Sequence, residues 1–234
     1  MTHPTAVNPL LPELPTPPPA LRRPERSAAL GDDLVATYGP SFPLGTSSPT
    51  GPGLPTERVE ADPLLWVVGV HGGAGASTVA ALLGSAGEHP DEVHELGQRL
   101  PVTGPSGPAP RVLLVARTHV TWLHWAAHVA RHWAGGHTGI DLIGLVVLDD
   151  APTLPPVLAA EVRRVAGMVP ALWHLPWVEA WRTELDLQPA ALPHRTRRCL
   201  TQIRDQAVAL AYRSTSPQLH HPHDDHPHDD RAAV

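Results

Sequence analysis

Four continuous apolar runs, separated by helical patterns, constrain the fold of this chain more than any other feature. The runs cover Leu64–Val70, Val112–Ala116, Leu142–Leu148 and Ala171–Leu175. A continuous apolar run is typical of a strand covered on both faces, whereas a half-exposed strand alternates apolar and polar residues. Helices are predicted between and after the runs, at 77–83, 120–134, 155–166 and 194–212. This alternation predicts an α/β fold, a small three-layer sandwich with a mostly parallel sheet between helices.

Composition divides the chain into a folded centre and two ends that are predicted to be disordered. Residues 1–60 are rich in proline and have few periodic apolar residues, so they cannot bury enough surface to offset the entropy of ordering. We expect a tether there, in which Ser27–Thr37 can form a short helix, rather than a polyproline ligand. Residues 214–234 contain HPHDD twice, which predicts a solvated tail or, alternatively, a loose zinc or nickel site. The folded domain is therefore placed at 61–213.

Charge and cysteine content narrow the class of protein. All 17 basic residues are arginine, and they face 23 acidic residues, for a formal net charge of −6. This balance argues against direct nucleic-acid binding. The single Cys199 excludes an internal disulfide and fits a reducing compartment. The N-terminal sequence does not resemble a secretory signal, and no apolar run reaches the roughly 18 residues that span a bilayer. We therefore predict a cytoplasmic protein without a membrane span.

The sequence HGGAGAST at residues 71–78 links the first apolar run to a helix and carries the clearest chemical signature of the chain. Glycines let a backbone approach a phosphate closely, and the helix start offers unpaired N–H groups at the positive end of its dipole. A standard phosphate loop has lysine before Ser/Thr, but Ala76 stands there and the chain has no lysine. The pattern predicts either a nucleotide phosphate site or only a tight strand-to-helix turn. The candidate binding residues are Gly72, Gly73, Gly75, Ala76, Ser77 and Thr78.

Further side chains can supply the charges that accompany such a loop. Ser77 and Asp149 are the candidate magnesium ligands, because Asp149 follows an apolar run and ligands collect beyond the carboxyl ends of parallel strands. The sequence Asp149-Asp150-Ala-Pro is also typical of a turn and helix cap, which we favour. Arg117 can contact a phosphate, but pairing with Asp149 or exposure to solvent is favoured. His71, with an ordinary pKa of about 6.5, supplies little charge at neutral pH.

Two groups of aromatic residues have a structural and a functional interpretation. His124, His128 and His132 recur every four residues, a spacing that can direct imidazoles toward one metal ion. They fall on the polar face of an amphipathic helix, and this solvated face is the favoured interpretation. In a later segment, large size makes burial the default for at least two of three tryptophans, although tryptophan can also form a pocket wall or a partner surface. These three are Trp173, Trp177 and Trp181.

The loop resembles the deviant phosphate loop KGGVGKTT of MinD and ParA ATPases. The matching residues are Gly72, Gly73, Gly75, Ser77 and Thr78. In that family the counterpart of Ser77 ligates magnesium, that of Thr78 reaches a phosphate, and two lysines neutralise phosphate charge. His71 and Ala76 replace those lysines. Losing such a cation costs several kcal/mol of transition-state stabilisation, comparable to about 3–4 kcal/mol for an oxyanion donor, so efficient hydrolysis is not expected.

A wider resemblance, from about residue 64 to 182, is to an uncharacterised family of P-loop-like proteins found mainly in actinobacteria. The stretches that carry it are LWVVGVHGGAGASTVAALL, VLLVARTHVTWL, LIGLVVLDDAP and VPALWHLPWVEAWR. Members tend to accompany conjugative or integrative elements, which implies a protein partner near a conjugation or secretion apparatus. The likeness to the ATPases also implies a homodimer.

The function predicted from these features is that of an interaction module that binds nucleotide weakly or not at all. ATP and magnesium are the cofactors expected if the loop is occupied. One alternative is an ATPase whose missing cation comes from a partner or a second subunit, as arginine fingers do. Another is a metal-binding protein that uses the histidines of the tail and the helix.

Overall fold

The computed structural model describes residues 53–85, 92–183 and 192–215. The strands are β1 (Thr56–Arg58), β2 (Leu65–Gly69), β3 (Val93–Glu95), β4 (Leu100–Val102), β5 (Arg111–Arg117), β6 (Asp141–Leu148) and β7 (Leu172–Leu175). The helices are α1 (Ala76–Ser85), α2 (Val120–Ala134), α3 (Pro156–Ala166), α4 (Ala180–Thr183) and α5 (His194–Thr215). The helix predicted at Ser27–Thr37 and the HPHDD repeats lie outside the described residues.

Five strands form one all-parallel sheet in the order β3-β2-β5-β6-β7. Four of them are the predicted apolar runs. β2 and β7 are buried along their whole length, and β5 and β6 are buried except at one terminal residue each, Arg117 and Asp141. Burial on both faces explains why these runs are continuous rather than alternating. The prediction of an α/β fold with a parallel sheet is confirmed.

Helices cover both faces of the sheet and produce two cores. Val68 and Leu114 belong to the core beneath α2 and α3, whereas their chain neighbours Val67 and Val115 belong to the core beneath α1 and α5. Successive side chains of a strand point to opposite faces, so each central strand contributes to both cores. The result is the predicted three-layer sandwich. Within the described residues, no helix is long and apolar enough to cross a bilayer.

Three short strands differ from the sequence-based prediction. β3 extends the main sheet beside β2, and β1 pairs with β4 in a separate two-stranded parallel sheet. β1 lies within the segment 1–60 that was predicted to be disordered. Main-chain pairing with β4, extended by a hydrogen bond of 2.8 Å from Leu100 N to Pro55 O, orders this stretch. β1 and β3 contain polar residues, and β4 has only three residues, of which one is proline. The pattern of long apolar runs that identified the other strands therefore does not identify these.

The strand order places the glycine loop at a distinctive position. After β2 the chain passes to β3 on one side of it and then to β5 on the other side. In open parallel sheets, ligands bind beyond the carboxyl ends of the strands at the point where the strand order reverses. β2 ends at Gly69, and the segment 71–78 follows it almost immediately. The topology and the sequence motif therefore indicate the same segment, 71–78, as the candidate site.

Candidate functional site

The turn from β2 into α1 requires glycine at two positions. Gly73 has a φ of +75° and Gly75 a φ of +92°, a left-handed conformation that costs other residues energy. A Cβ at Gly75 would also lie 3.2 Å from Cδ2 of Leu148, at the end of β6. These two glycines therefore give the loop its shape, and Gly75 also allows it to pack against β6.

The start of α1 presents backbone donors at the carboxyl edge of the sheet. The first helical hydrogen bond runs from Val79 N to Gly75 O, at 3.0 Å. The N–H groups of Ala76, Ser77 and Thr78 precede this bond and have no acceptor within the helix. They lie at the positive end of the helix dipole, where anions are stabilised. This geometry can hold a phosphate through main-chain groups alone.

The side chains of these three residues differ in exposure. Ser77 is exposed and Thr78 is half-buried, and both belong to the first turn of α1. The Ala76 side chain is only 6% exposed and packs into the core beneath α1 and α5. The position at which phosphate loops carry lysine is therefore part of the core, and it offers the site only its backbone N–H.

His71 is a buried packing residue at the base of the loop. Its ring stacks on Trp122 of α2, with the ring centroids 4.1 Å apart and the planes inclined by 12°. Nδ1 lies 2.8 Å from Gly72 O, and Nε2 lies 3.4 Å from the backbone N of Arg117. A carbonyl only accepts and a backbone N–H only donates, so these contacts assign the ring proton to Nδ1. His71 therefore has a defined neutral tautomer.

The protonation of His71 follows from its surroundings. Burial lowers its pKa from the ordinary 6.5, and the charge of Arg117 lowers it further, although the hydrogen bond to Gly72 opposes the shift. The imidazole is consequently neutral at neutral pH. It therefore contributes no positive charge to the loop at that pH.

Arg117 brings a positive charge to the loop from the end of β5. Its Nε donates to Gly73 O at 2.9 Å, and Nη1 lies 3.1 Å from Oδ1 of Asp150. A carboxylate partner was one of the favoured alternatives, but the partner is Asp150 rather than Asp149. In the part of the chain that the structure describes, Nη2 has no partner, and the side chain is 31% exposed. This leaves one amino group of the guanidinium available to an anion on the loop.

Asp149 is engaged in a different contact. Its Oδ1 lies 2.8 Å from Nε2 of His174 in β7, and the two side chains are only 10% and 7% exposed. Its backbone N also donates to Leu175 O at 3.0 Å. Across the described ranges, Asp149 makes no hydrogen bond to Ser77, and no group of three or more His, Cys, Asp or Glu residues is arranged to hold a metal. The assignment of Ser77 and Asp149 as magnesium ligands stays a prediction.

The favoured interpretation of the two aspartates as a helix cap is wrong. α3 begins at Pro156, and the preceding Pro155 makes no side-chain cap hydrogen bond. Asp150 N instead donates to Thr118 Oγ1 at 2.9 Å, while Thr118 N donates to Leu148 O at 2.9 Å. These bonds join the ends of β5 and β6. The aspartates therefore connect neighbouring strands at the carboxyl edge of the sheet: Asp150 bonds to the end of β5 and Asp149 to the end of β7.

The three histidines of α2 do not share one environment. His124 is exposed and contacts Glu161 of α3, with Nε2 2.8 Å from Oε1. His128 and His132 are half-buried, and their Nε2 atoms lie 3.1 Å apart. The favoured solvated-face interpretation therefore holds for His124 alone. The opposite face was predicted to collect six apolar residues. Five of them are buried, Leu123, Ala126, Val129, Ala130 and Trp133, whereas Trp122 is half-buried and stacks on His71.

The tryptophans near the end of β7 are largely core residues. Trp173 is fully buried in β7, and Trp181 is half-buried and packs against the same core. Trp177 is half-buried, and its Nε1 donates to Glu179 at 2.9 Å. The prediction that at least two of the three pack in the core is confirmed.

Comparison with protein families matches residues 63–200 to a family of unknown function, DUF6668. The chain belongs to this family. The DUF6668 region runs from just before β2 into α5, so it includes the whole five-stranded sheet and the glycine loop, but not β1. No curated protein matches the chain, and no solved structure does.

Proposed function

We propose that the glycine loop of this DUF6668 protein binds the phosphate groups of a nucleotide, and that the protein is a weakly nucleotide-binding interaction module. The observation that carries the proposal is the position of the loop. Left-handed Gly73 and Gly75 direct the first turn of α1 to the carboxyl end of β2, where the strand order reverses. The strand–loop–helix order and the hydroxyls of Ser77 and Thr78 favour a degenerate relationship to P-loop ATPases of the MinD and ParA type.

The charges around the loop favour binding over hydrolysis. His71 is neutral, and the Ala76 side chain lies in the core. Arg117 reaches the loop, but Asp150 offsets its charge. Phosphoryl transfer is catalysed almost entirely by positioning and by positive charge on the transferred group. A site with one partly neutralised guanidinium is expected to hold a nucleotide without turning it over efficiently.

An ATPase completed by a partner is the second candidate. It would use the same loop and receive its missing cation in trans. The exposure of Gly72, Gly73 and Ser77 favours this candidate, because an incoming side chain can approach the loop from that side. A homodimer or a protein of a conjugation apparatus would supply that side chain.

The proposal is tested by comparing two alanine substitutions that cause the same backbone strain. Gly73 and Gly136 have φ values of +75° and +76°, and at neither position does a described atom lie within 4 Å of an added Cβ. Each substitution should lower the free energy of unfolding by about 1 kcal/mol. Only Gly73→Ala should weaken the binding of a fluorescent ATP analogue, by about tenfold, or about 1.4 kcal/mol.

The matched control makes the result decisive. Gly136 lies just beyond the end of α2, away from the loop, so Gly136→Ala reports the effect of reduced stability alone. Equal affinity in the wild-type protein and both variants, or no measurable affinity in the wild-type protein, would contradict the proposal.

A phosphate-release assay then distinguishes a nucleotide-binding module from an ATPase completed by a partner. Turnover that Ser77→Ala abolishes would favour the ATPase.

A further inference from the structure

His128 and His132 form a close imidazole pair on α2, in a part of the molecule that the glycine loop does not use. Their spacing of four residues brings them to the same face of the helix. The Nε2 atoms are 3.1 Å apart, the ring centroids 4.6 Å, and the planes are inclined by 71°. The rings thus approach at an angle rather than pointing head-on. Two imidazole nitrogens this close must share a proton or a cation, because two lone pairs or two N–H groups would repel.

We propose that His128 and His132 together bind a divalent transition-metal ion, such as nickel, zinc or copper. Imidazole–zinc bonds are about 2.0–2.1 Å long, so two nitrogens on one ion are separated by roughly 2.9 Å at right angles and 3.4 Å in a tetrahedron. The observed 3.1 Å lies between these limits. The ion replaces the shared proton, which moves to Nδ1 of the donor ring. α2 need not move.

The space beside His132 can accept the remaining ligands. A cavity of about 380 Å³ is lined by His132, His137, Thr138 and apolar residues that include Leu54 and Val129. The His137 ring centroid lies 6.1 Å from that of His132. Thr138 Oγ1 is buried without a hydrogen-bond partner among the described residues.

The site formed by these groups is an open one. The side chains of the described ranges offer no converging set of three metal ligands, so water from the cavity completes the coordination. A two-histidine site of this kind holds an exchangeable ion, in contrast to the closed four-ligand sites that hold structural zinc. Copper is expected to bind most tightly and zinc and nickel less tightly, following the general order for nitrogen ligands.

Thermal unfolding of the full chain with and without nickel isolates this site from other histidines. A metal that binds folded and unfolded chains equally does not change Tm, whereas one that needs the folded helix raises it. At neutral pH, saturating nickel should raise the Tm of the wild-type protein by about 5 °C. His128→Ala and His132→Ala should abolish this rise.

His124→Ala is the matched control, because His124 lies on the same helix, four residues earlier, and is exposed. It should retain the full nickel-dependent rise. His132→Gln provides a second test that preserves side-chain bulk and hydrogen bonding, and the metal-free Tm of each variant reports its folding. A wild-type Tm that nickel does not change would overturn the proposal. So would a rise that persists in both His128→Ala and His132→Gln.

Discussion

Gly144→Ala is expected to lower the free energy of unfolding by about 3 kcal/mol or more. The new methyl group would overlap atoms that cannot move away from it. Gly144 lies in β6, next to an irregularity in its pairing with β5. An added Cβ would overlap the carbonyl oxygen of Ala171 and lie 2.5 Å from Cζ3 of Trp173. That carbonyl is fixed, since it accepts a hydrogen bond of 2.9 Å from Leu145 N. Relief therefore requires β6 and β7 to separate.

Urea unfolding of Gly144→Ala beside Gly167→Ala measures this effect. Gly167 follows α3 with an ordinary φ of −69°. A Cβ there would lie 3.6 Å from Arg164 O, which is an ordinary contact. The control substitution should change the free energy of unfolding by no more than about 0.5 kcal/mol. If the two variants are equally stable, β6 and β7 do not pack as closely at Gly144 as described.

Arg117→Ala is expected to weaken ATP binding by roughly thirtyfold, or about 2 kcal/mol, the typical value of a hydrogen bond to a charged group. The substitution removes the guanidinium whose Nη2 faces no described partner, and it also removes the donor to Gly73 O. Arg117→Lys should lose part of the affinity as well. A lysine retains the charge but cannot hold Gly73 and Asp150 with one planar fork.

Calorimetric titration with ATP and magnesium measures these affinities, and Arg164→Ala serves as the control. Arg164 is another partly exposed arginine with a carboxylate partner, Glu161, but it lies on α3. Its loss should leave ATP affinity unchanged. If Arg117→Ala binds ATP as tightly as the wild-type protein, Arg117 only braces the loop and the phosphate is held by backbone N–H groups alone.

The sequence predicts those elements of the fold whose burial leaves a continuous or periodic pattern of apolar residues. β2, β5, β6 and β7 are covered on both faces, and their continuous apolar runs predicted them. The bounds of α2 were predicted to the residue, since its apolar stripe begins and ends sharply. β1, β3 and β4 have three residues each and form through main-chain pairing with distant segments. Pairing with distant segments leaves no characteristic pattern of apolar residues within such short strands.

The site was accessible only in part, for a related reason. The glycine pattern identified the loop, because the left-handed turn requires glycine locally. The contacts of Arg117 with Gly73 and Asp150 depend on β5 lying between β2 and β6, and strand order cannot be read from one apolar run. His174 was overlooked, although a lone polar residue within the apolar sequence LWHL was a usable signal for a buried partner such as Asp149.

The histidines of α2 illustrate the same limit on a helix. A helical wheel correctly groups His128 and His132 but assigns their face to solvent. The structure instead brings the segment before β1 over that face, where a Cβ at Gly53 would lie 3.4 Å from Cγ of His132. Gly53 lies nearly eighty positions before His132 in the chain, so the periodicity of α2 alone cannot predict that it covers this face.

Amide chemical-shift mapping during an ATP titration tests the central claim most directly, because the proposed ligands of the phosphate are backbone N–H groups. We predict saturable shifts of the amides of Gly72, Gly73, Ala76, Ser77 and Thr78, and much smaller shifts of the same amides with adenosine. Saturable binding that leaves these amides unchanged, equal shifts with adenosine, or no saturable binding at all would contradict a phosphate site at this loop.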